Sequence, residues 1–208
     1  MTQSGSQQTP PSPDGDSGEA NEHHISLMLR VKEGDIIAFE ELVEIHQGSV
    51  IGTVAKMLGS ANEAEDIAQQ VFVRIWKSAH RYEPQAKFTT WMFTITRNLV
   101  FNEVRRRQRK PTVSVEEREE ESHQVVEDHA TIRPDEEVLH SELEKAVDDA
   151  IQALPEKQRM AVILRRYEEM PYEDIGKVLK LSVPAVKSLL FRARTQLKLN
   201  LQKYLDAE

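Results

Sequence analysis

Apolar residues along this chain recur three or four positions apart, and almost nowhere in strict alternation. That period predicts helices rather than strands. Phe39, Leu42, Val43, His46, Val50 and Met57 mark a first stripe. Gly48 and Gly52 are expected to interrupt it, at about 1 kcal/mol each relative to alanine. A second helix opens within "LGSANEAEDIAQQVFVRIWKSA", where Ser60 and Glu63 have capping-box spacing. Ala64, Ile67, Ala68, Val71 and Ile75 share its inner face. The stretch "HRYEPQAK" reads as a loop around Pro84, and a third helix is predicted from Thr89 or Thr90 to about Arg109, with Trp91, Met92, Ile95 and Leu99 inward. Much further on, Leu143, Ala146, Val147, Ala150, Ile151 and Leu154 form another stripe. Pro155 suits the start of the next helix, which carries Met160, Ile163, Leu164 and Tyr167. "YEDIGKVLK" is a short amphipathic helix. Ser182 and Pro184 then suit the cap and first turn of a last helix with Val186, Leu190, Ala193, Leu197 and Leu201 on one face.

Between the two helical groups lies "PTVSVEEREEESHQVVEDHATIRPDEE", which opens with a helix breaker and repels itself. Before them lies a tail of Gln, Ser, Pro, Gly and Asp with almost nothing to bury. The expected organisation is a disordered tail over 1–24, a helical domain over 25–110, an acidic linker over 111–140 and a second helical domain over 141–208. The fold class is all-α: two small helical domains joined by a flexible acidic linker, the C-terminal one containing a helix-turn-helix.

Charge changes the picture of partners. The 208-residue chain has a formal charge of -8, which by itself argues against nucleic acid. Residues 111–140 hold 2 Lys/Arg against 10 Asp/Glu, so this one segment carries a charge equal to the whole excess. Elsewhere the cations are clustered, most of all in "FNEVRRRQRK" (101–110), with five in its last six residues. The lack of cysteine excludes disulfides and cysteine-based zinc sites, and fits a reducing compartment. No uncharged apolar run approaches the roughly 20 residues of a membrane helix. The expected setting is cytoplasmic, without membrane insertion.

Two short helices with a tight turn, the second longer and basic, have the form of a helix-turn-helix. At about 100° per residue, Lys187, Ser188, Phe191, Arg192 and Thr195 point away from the core face of the last helix. Ser188 suits base edges, Phe191 a thymine methyl, and Lys187 and Arg192 phosphate or guanine. A helical hairpin with a solvated basic face would have the same pattern. In the first domain, Asn98, Asn102, Arg105, Arg106 and Arg109 line one side of a helix. Tyr82, Lys87 and Phe88 lie in the loop before it and Trp91 in its first turn. Aromatics beside cations suit unstacked bases. The alternative is that Trp91 and Phe88 are core and the arginines solvated, and for Trp91 taken alone the core is the plainer reading. Asp66, Gln69, Gln70, Val73 and Lys77 form an outer stripe on the middle helix, which reads either as a protein-binding face or as a solvated one. Catalytic signatures are missing: there is no phosphate loop, no nucleophile elbow and no preformed histidine cluster for a metal. The expectation is no enzyme, no cofactor and no metal.

The segments "FEELVEIHQ", "AEDIAQQVFVRIWK", "FTTWMFTITRNLVFNEVRR", "LPEKQRMAVILRR" and "YEDIGKVLKLSVPAVKSLLFRAR" follow one another in an order and spacing that resemble the extracytoplasmic-function (ECF) sigma factors of bacterial RNA polymerase. The resemblance implies a role for each face. Asp66, Gln69, Gln70, Val73 and Lys77 would dock on the clamp helices of the largest polymerase subunit. The loop and helix from His80 to Arg109 would melt the promoter and hold the minus-ten element, through Tyr82, Lys87, Phe88, Trp91, Asn98, Asn102, Arg105, Arg106 and Arg109. The C-terminal domain would meet the flap and read the minus-thirty-five element through Ser182, Lys187, Ser188, Phe191 and Arg192. The implied partners are core polymerase and promoter DNA; many members of that family are also held by an anti-sigma factor, which makes one a candidate partner that nothing in this sequence identifies. Lys180 stands where the family usually has Gly, in a turn where a left-handed backbone would cost about 1 kcal/mol or more. Leu189 and Phe191 replace residues that are usually polar or cationic. The reading is a promoter-recognition factor, monomeric when free. A polymerase-independent helix-turn-helix regulator and a protein-binding helical adaptor are the alternatives.

Overall fold

In the computed structural model the described residues are 14–109 and 134–205, all helix, turn or loop with no strand among them. The first region holds α1 (Asp14–Lys32), α2 (Ile36–Leu58), α3 (Ala61–Ser78), a 3-10 turn (Ala79–Arg81) and α4 (Phe88–Arg109). The second holds α5 (Pro134–Gln152), α6 (Glu156–Arg166), α7 (Tyr172–Leu179), α8 (Val183–Asn200) and a last turn, α9 (Gln202–Leu205).

Local chemistry explains the boundaries. Asp35 caps α2 by accepting from the Ala38 amide at 3.1 Å. That bond, then the Arg30 side chain, holds the Asp35 carboxyl below its usual range. Gly59 ends α2 in the left-handed conformation, at φ 70°, and its amide donates to Ala55 at 2.8 Å. One residue later Ser60 caps α3, accepting from the Glu63 amide. In the second region Lys180 takes the left-handed place after α7, at φ 56°, as the turn requires. Gly176 is needed for a different reason: a Cβ there would lie 2.7 Å from the Leu181 carbonyl oxygen, so the turn after α7 would have to shift to admit it.

Several expectations need correction. Residues 14–24 are not a disordered tail but the first half of α1, and they are used: Asn21 accepts from the Phe88 amide at 3.1 Å, and the His24 ring meets that of His46 at 4.5 Å. The expectation for 1–13 lies outside the described residues. Helix α2 runs unbroken through Gly48 and Gly52, because burial of Leu42, His46, Val50, Val54 and Met57 outweighs the propensity cost. Helix α5 begins at Pro134, inside the segment assigned to the linker; 110–133 lie outside the described residues. Leu143, expected inside, is 44% exposed.

The two helical regions pack against each other. Helix α2 meets α5 and α6, α4 meets α7, and buried apolar residues of both regions form one contiguous core.

Candidate polymerase and nucleic-acid interfaces

Helix α3 buries all five residues of its predicted stripe, Ala64, Ile67, Ala68, Val71 and Ile75. Rotation about the helix therefore leaves Asp66, Gln69, Gln70, Val73 and Lys77 exposed together on the far side. Val73 is half-exposed. Trp76, which the sequence reading passed over, adds an exposed ring edge to this face and packs on Phe39 with centroids 5.1 Å apart. Its place three residues after Val73 was the signal that marked it. Apolar groups among uncharged amides, with Asp66 at one end and Lys77 at the other, suit a protein partner better than a phosphate backbone.

The aromatic loop differs from its expectation. Tyr82 and Phe88 are each only 1% exposed, so neither presents a ring to a base. Phe88 lies 5.1 Å from the His46 ring, and Tyr82 meets Trp91 edge-on at 5.0 Å. Burial of about 150–250 Å² per ring in a core outweighs any gain from leaving it in water. Trp91 is partly buried on the same cluster. Burial pushes the Tyr82 hydroxyl up from its ordinary pKa, and pulls His46 down to about 4, with the nearby His24 charge adding to the effect. Burial followed by repulsion from His23 lowers His24 too. Lys32 donates to the Tyr82 carbonyl at 3.1 Å, so α1 straps the loop. Exposed polar groups that remain in the loop are His80, Arg81, Glu83, Gln85 and Lys87.

On α4 the arginine run divides. Glu103 is 9% exposed and anchors two of its members. Arg106 donates to it through Nε at 2.7 Å and Nη2 at 2.8 Å, which holds the guanidinium charged. Arg107 donates to Glu103 at 3.4 Å and to the Leu58 carbonyl at 2.9 Å, and pairs with Glu63. It is a structural bracket joining the end of α2 and the start of α3 to α4. Asn98, Asn102, Arg105 and Arg109 are exposed, and Asn102, Arg105, Arg106 and Arg109 line one shallow pocket. Arg97 turns the other way. Its Nε and Nη2 are buried without a hydrogen-bond partner among the described residues, and burial, then Arg105, lowers its pKa against the pull of Glu156.

The helix-turn-helix presents Lys187, Ser188, Phe191, Arg192 and Thr195 outward, with Phe191 69% exposed. Ser182 occupies the N-cap position and is exposed, although its side chain makes no capping bond. Leu189 is 9% exposed and belongs to the core, so its apolar character follows from packing and not from altered base reading. Among the described residues no group of His, Asp or Glu could hold a metal, and no helix is long and apolar enough to cross a membrane.

The order of these helices along the chain is that of the sigma-70 factors, as two family models show. Residues 42–110 match the family model for sigma-70 region 2, and 144–197 the model for sigma-70 region 4. The chain is 34% identical to the RNA polymerase sigma-H factor of Pseudomonas aeruginosa over 86% of its own length and 94% of that protein. It is 30% identical to the ECF RNA polymerase sigma factor SigW of Bacillus subtilis, over 83% of this chain and 94% of the relative. Among solved structures, CnrH in complex with the cytosolic domain of CnrY matches with TM-score 0.63 at 24% identity, covering 89% of this chain and 99% of that one. The sigma factor RpoE of Bartonella quintana, bound to the anti-sigma factor NepR, matches with TM-score 0.60 at 20% identity, covering 79% and 96%. At these identities the structures establish the fold. The chain belongs to the ECF sigma factors of RNA polymerase, and acts in promoter recognition and transcription initiation.

Proposed function

We propose a division of labour among three exposed faces. Asp66, Gln69, Gln70, Val73 and Lys77 dock α3 on the clamp helices of core polymerase, with Trp76 as the apolar anchor beside them. Lys87, Asn98, Asn102, Arg105, Arg106 and Arg109 hold the melted strand of the minus-ten element. Tyr82, Phe88 and Trp91 stiffen the loop that frames it instead of stacking on bases. Lys187, Ser188, Phe191 and Arg192, with Ser182 at the start of α8, read the minus-thirty-five duplex, and the second region meets the flap. The factor carries no covalent chemistry, is monomeric when free, works in the cytoplasm, and is held in reserve by an anti-sigma factor.

The observation that carries this reading is the contrast between faces on one small chain: α4 presents arginines with asparagines, α8 presents Lys187 and Arg192 with serines and an exposed phenyl ring, and α3 mixes an exposed indole and valine with glutamines. Each face binds weakly alone, and simultaneous engagement on polymerase supplies the avidity. Run-off transcription with core polymerase on genomic fragments, with permanganate footprinting of unpaired thymines, tests it. Gel shifts with and without core polymerase separate this reading from an independent regulator. Tight promoter-specific binding by the isolated chain would overturn it.

A further inference from the structure

Helix α1 holds the loop before α4 at both of that loop's ends. The Asn21 side chain accepts from the Phe88 amide at 3.1 Å, and the Lys32 ammonium donates to the Tyr82 carbonyl at 3.1 Å. The first amides of a helix have no partner within it, and a cap usually comes from the residue just before. Lys87 stands at that place before α4 and has no side-chain acceptor. The cap of α4 is therefore supplied from α1, 67 positions upstream. Asn21 and Lys32 are separated by about three turns, which puts them on one side of α1. Between them on that side lie His24, whose ring is 6.1 Å from that of Phe88, and Met28, which is fully buried.

The loop makes few bonds of its own. Among the described residues, Gln85 bonds Glu83 through its backbone amide at 2.8 Å and its side-chain amide at 2.7 Å. The Tyr82 amide donates to Ala79 at 2.9 Å, and Lys87 lies 4.0 Å from Asp174. Tyr82 and Phe88, the two residues that α1 grips, are buried, whereas Glu83, Pro84, Gln85 and Lys87 are exposed. Both ends are fixed and a polar edge is presented between them. A loop ordered before its ligand arrives loses less freedom on binding. It also discriminates better, since a flexible surface repacks around many partners.

We propose that α1 splints this loop for reading bases: Asn21 and Lys32 are positioning residues that hold Glu83, Gln85 and Lys87 in one arrangement against the melted strand. This inference rests on the minus-ten reading of the loop. It gives a role to a helix that lies wholly before residue 42, where the region 2 match begins. Loosening either anchor lowers the ratio between favoured and disfavoured bases and leaves the docking face of α3 as it was. A fall in the folded fraction acts differently: it weakens binding to all sequences alike and does not move the ratio.

The test lets the full chain with core polymerase select from a pool of single-stranded oligonucleotides of randomised sequence. Sequencing before and after capture gives the enrichment of one sequence over another. The parent is expected to enrich a defined motif. Asn21→Leu removes the acceptor and is expected to lower that enrichment about fivefold, the effect of a lost helix cap. Lys32→Met keeps the stem, removes the donor, and should act in the same direction. Asn21→Asp keeps an acceptor of equal capping quality and should return the parent's ratio. Core-polymerase binding should match the parent in all three, and circular dichroism confirms that each is folded. Hydrogen exchange of the free chain reads the anchors directly: peptides spanning Tyr82 to Phe88 should exchange faster in Asn21→Leu and Lys32→Met. Enrichment equal to the parent's in those two variants, or an equal loss in Asn21→Asp, overturns the positioning role. Unchanged exchange overturns the splint itself. A parent that enriches nothing strikes the minus-ten reading, and with it the role in base choice, while the exchange result still decides whether α1 holds the loop.

Discussion

Helices α4 and α8 are both proposed to meet DNA, yet they are built differently. Helix α4 buries Met92, Phe93, Thr96, Val100, Phe101 and Glu103, and touches α1, α2, α3 and α7. Helix α8 buries only Val186, Leu189, Leu190 and Ala193, and its reading face carries nothing the core needs. One is a structural beam with a cationic edge; the other is a proposed reader resting on a hairpin. Substitution near α4 should therefore mix stability with binding, whereas on α8 the two should separate.

The largest test of that contrast is aromatic truncation. Phe88→Ala should cost about 3–5 kcal/mol in urea unfolding, because the ring lies in the core beneath α1 and α2. Phe191→Ala should stay within about 0.5 kcal/mol of the parent while weakening minus-thirty-five-dependent initiation. Equal unfolding midpoints for the two variants would erase the distinction.

Acid provides the next largest effect, confined to the first region. His46 binds a proton near pH 4 when folded and near 6.5 when unfolded, so the unfolded chain holds more protons in between. The stabilisation is complete above about pH 6.5 and is lost as pH falls towards 4, by roughly 3 kcal/mol at 1.36 kcal/mol per unit. Denaturation of the parent and His46→Phe from pH 7.5 to 4.5 checks this. Parallel pH dependence in the two proteins would count against it.

Smaller changes probe the hairpin under α8. Gly176→Ala should cost about 1–3 kcal/mol through the collision with the Leu181 carbonyl, and should abolish upstream-element use before minus-ten use. Among the arginines, Arg105→Ala and Arg109→Ala should each lower the salt slope of polymerase-bound promoter affinity by about 1. Arg107→Ala should instead lower the unfolding midpoint and leave the slope near that of the parent. Smallest of all, Lys180→Gly should stabilise by about 0.5–1 kcal/mol, relief of a left-handed lysine less the extra freedom of the unfolded glycine. A thermal-melt series decides its sign.

Helix α3 was readable because it is amphipathic in the simplest sense: one side inward, one side out. The same periodicity misled on α4. A helix with four neighbours is buried on most of its circumference, so Phe93, Thr96 and Phe101 turned out to be more deeply placed than Trp91, Ile95 and Leu99. Aromatics beside cations in the loop cannot be sorted by pattern into base stackers and core residues, since a flat apolar ring serves either purpose and neighbouring cations do not tell which. Burial sorted Tyr82 and Phe88 into the core. The start of α1 was illegible for another reason. Asn21 and His24 are polar, and their partners Phe88 and His46 lie far off in sequence. Nothing local announces such contacts.

Arg107 has a consequence beyond its own bonds. It holds Glu63 on α3 and Glu103 on α4 in one hand, with the end of α2 between them. If α3 is the docking face, its displacement by a bound protein would bear on the neighbouring turn of α4, where Arg106 shares Glu103. Where two binding events draw on one bracket, their coupling is reciprocal. Any factor by which docking tightened the hold on the strand would equal the factor by which the strand tightened the hold on the polymerase. A side chain that is itself spent on structure would then help set how firmly the complex is held.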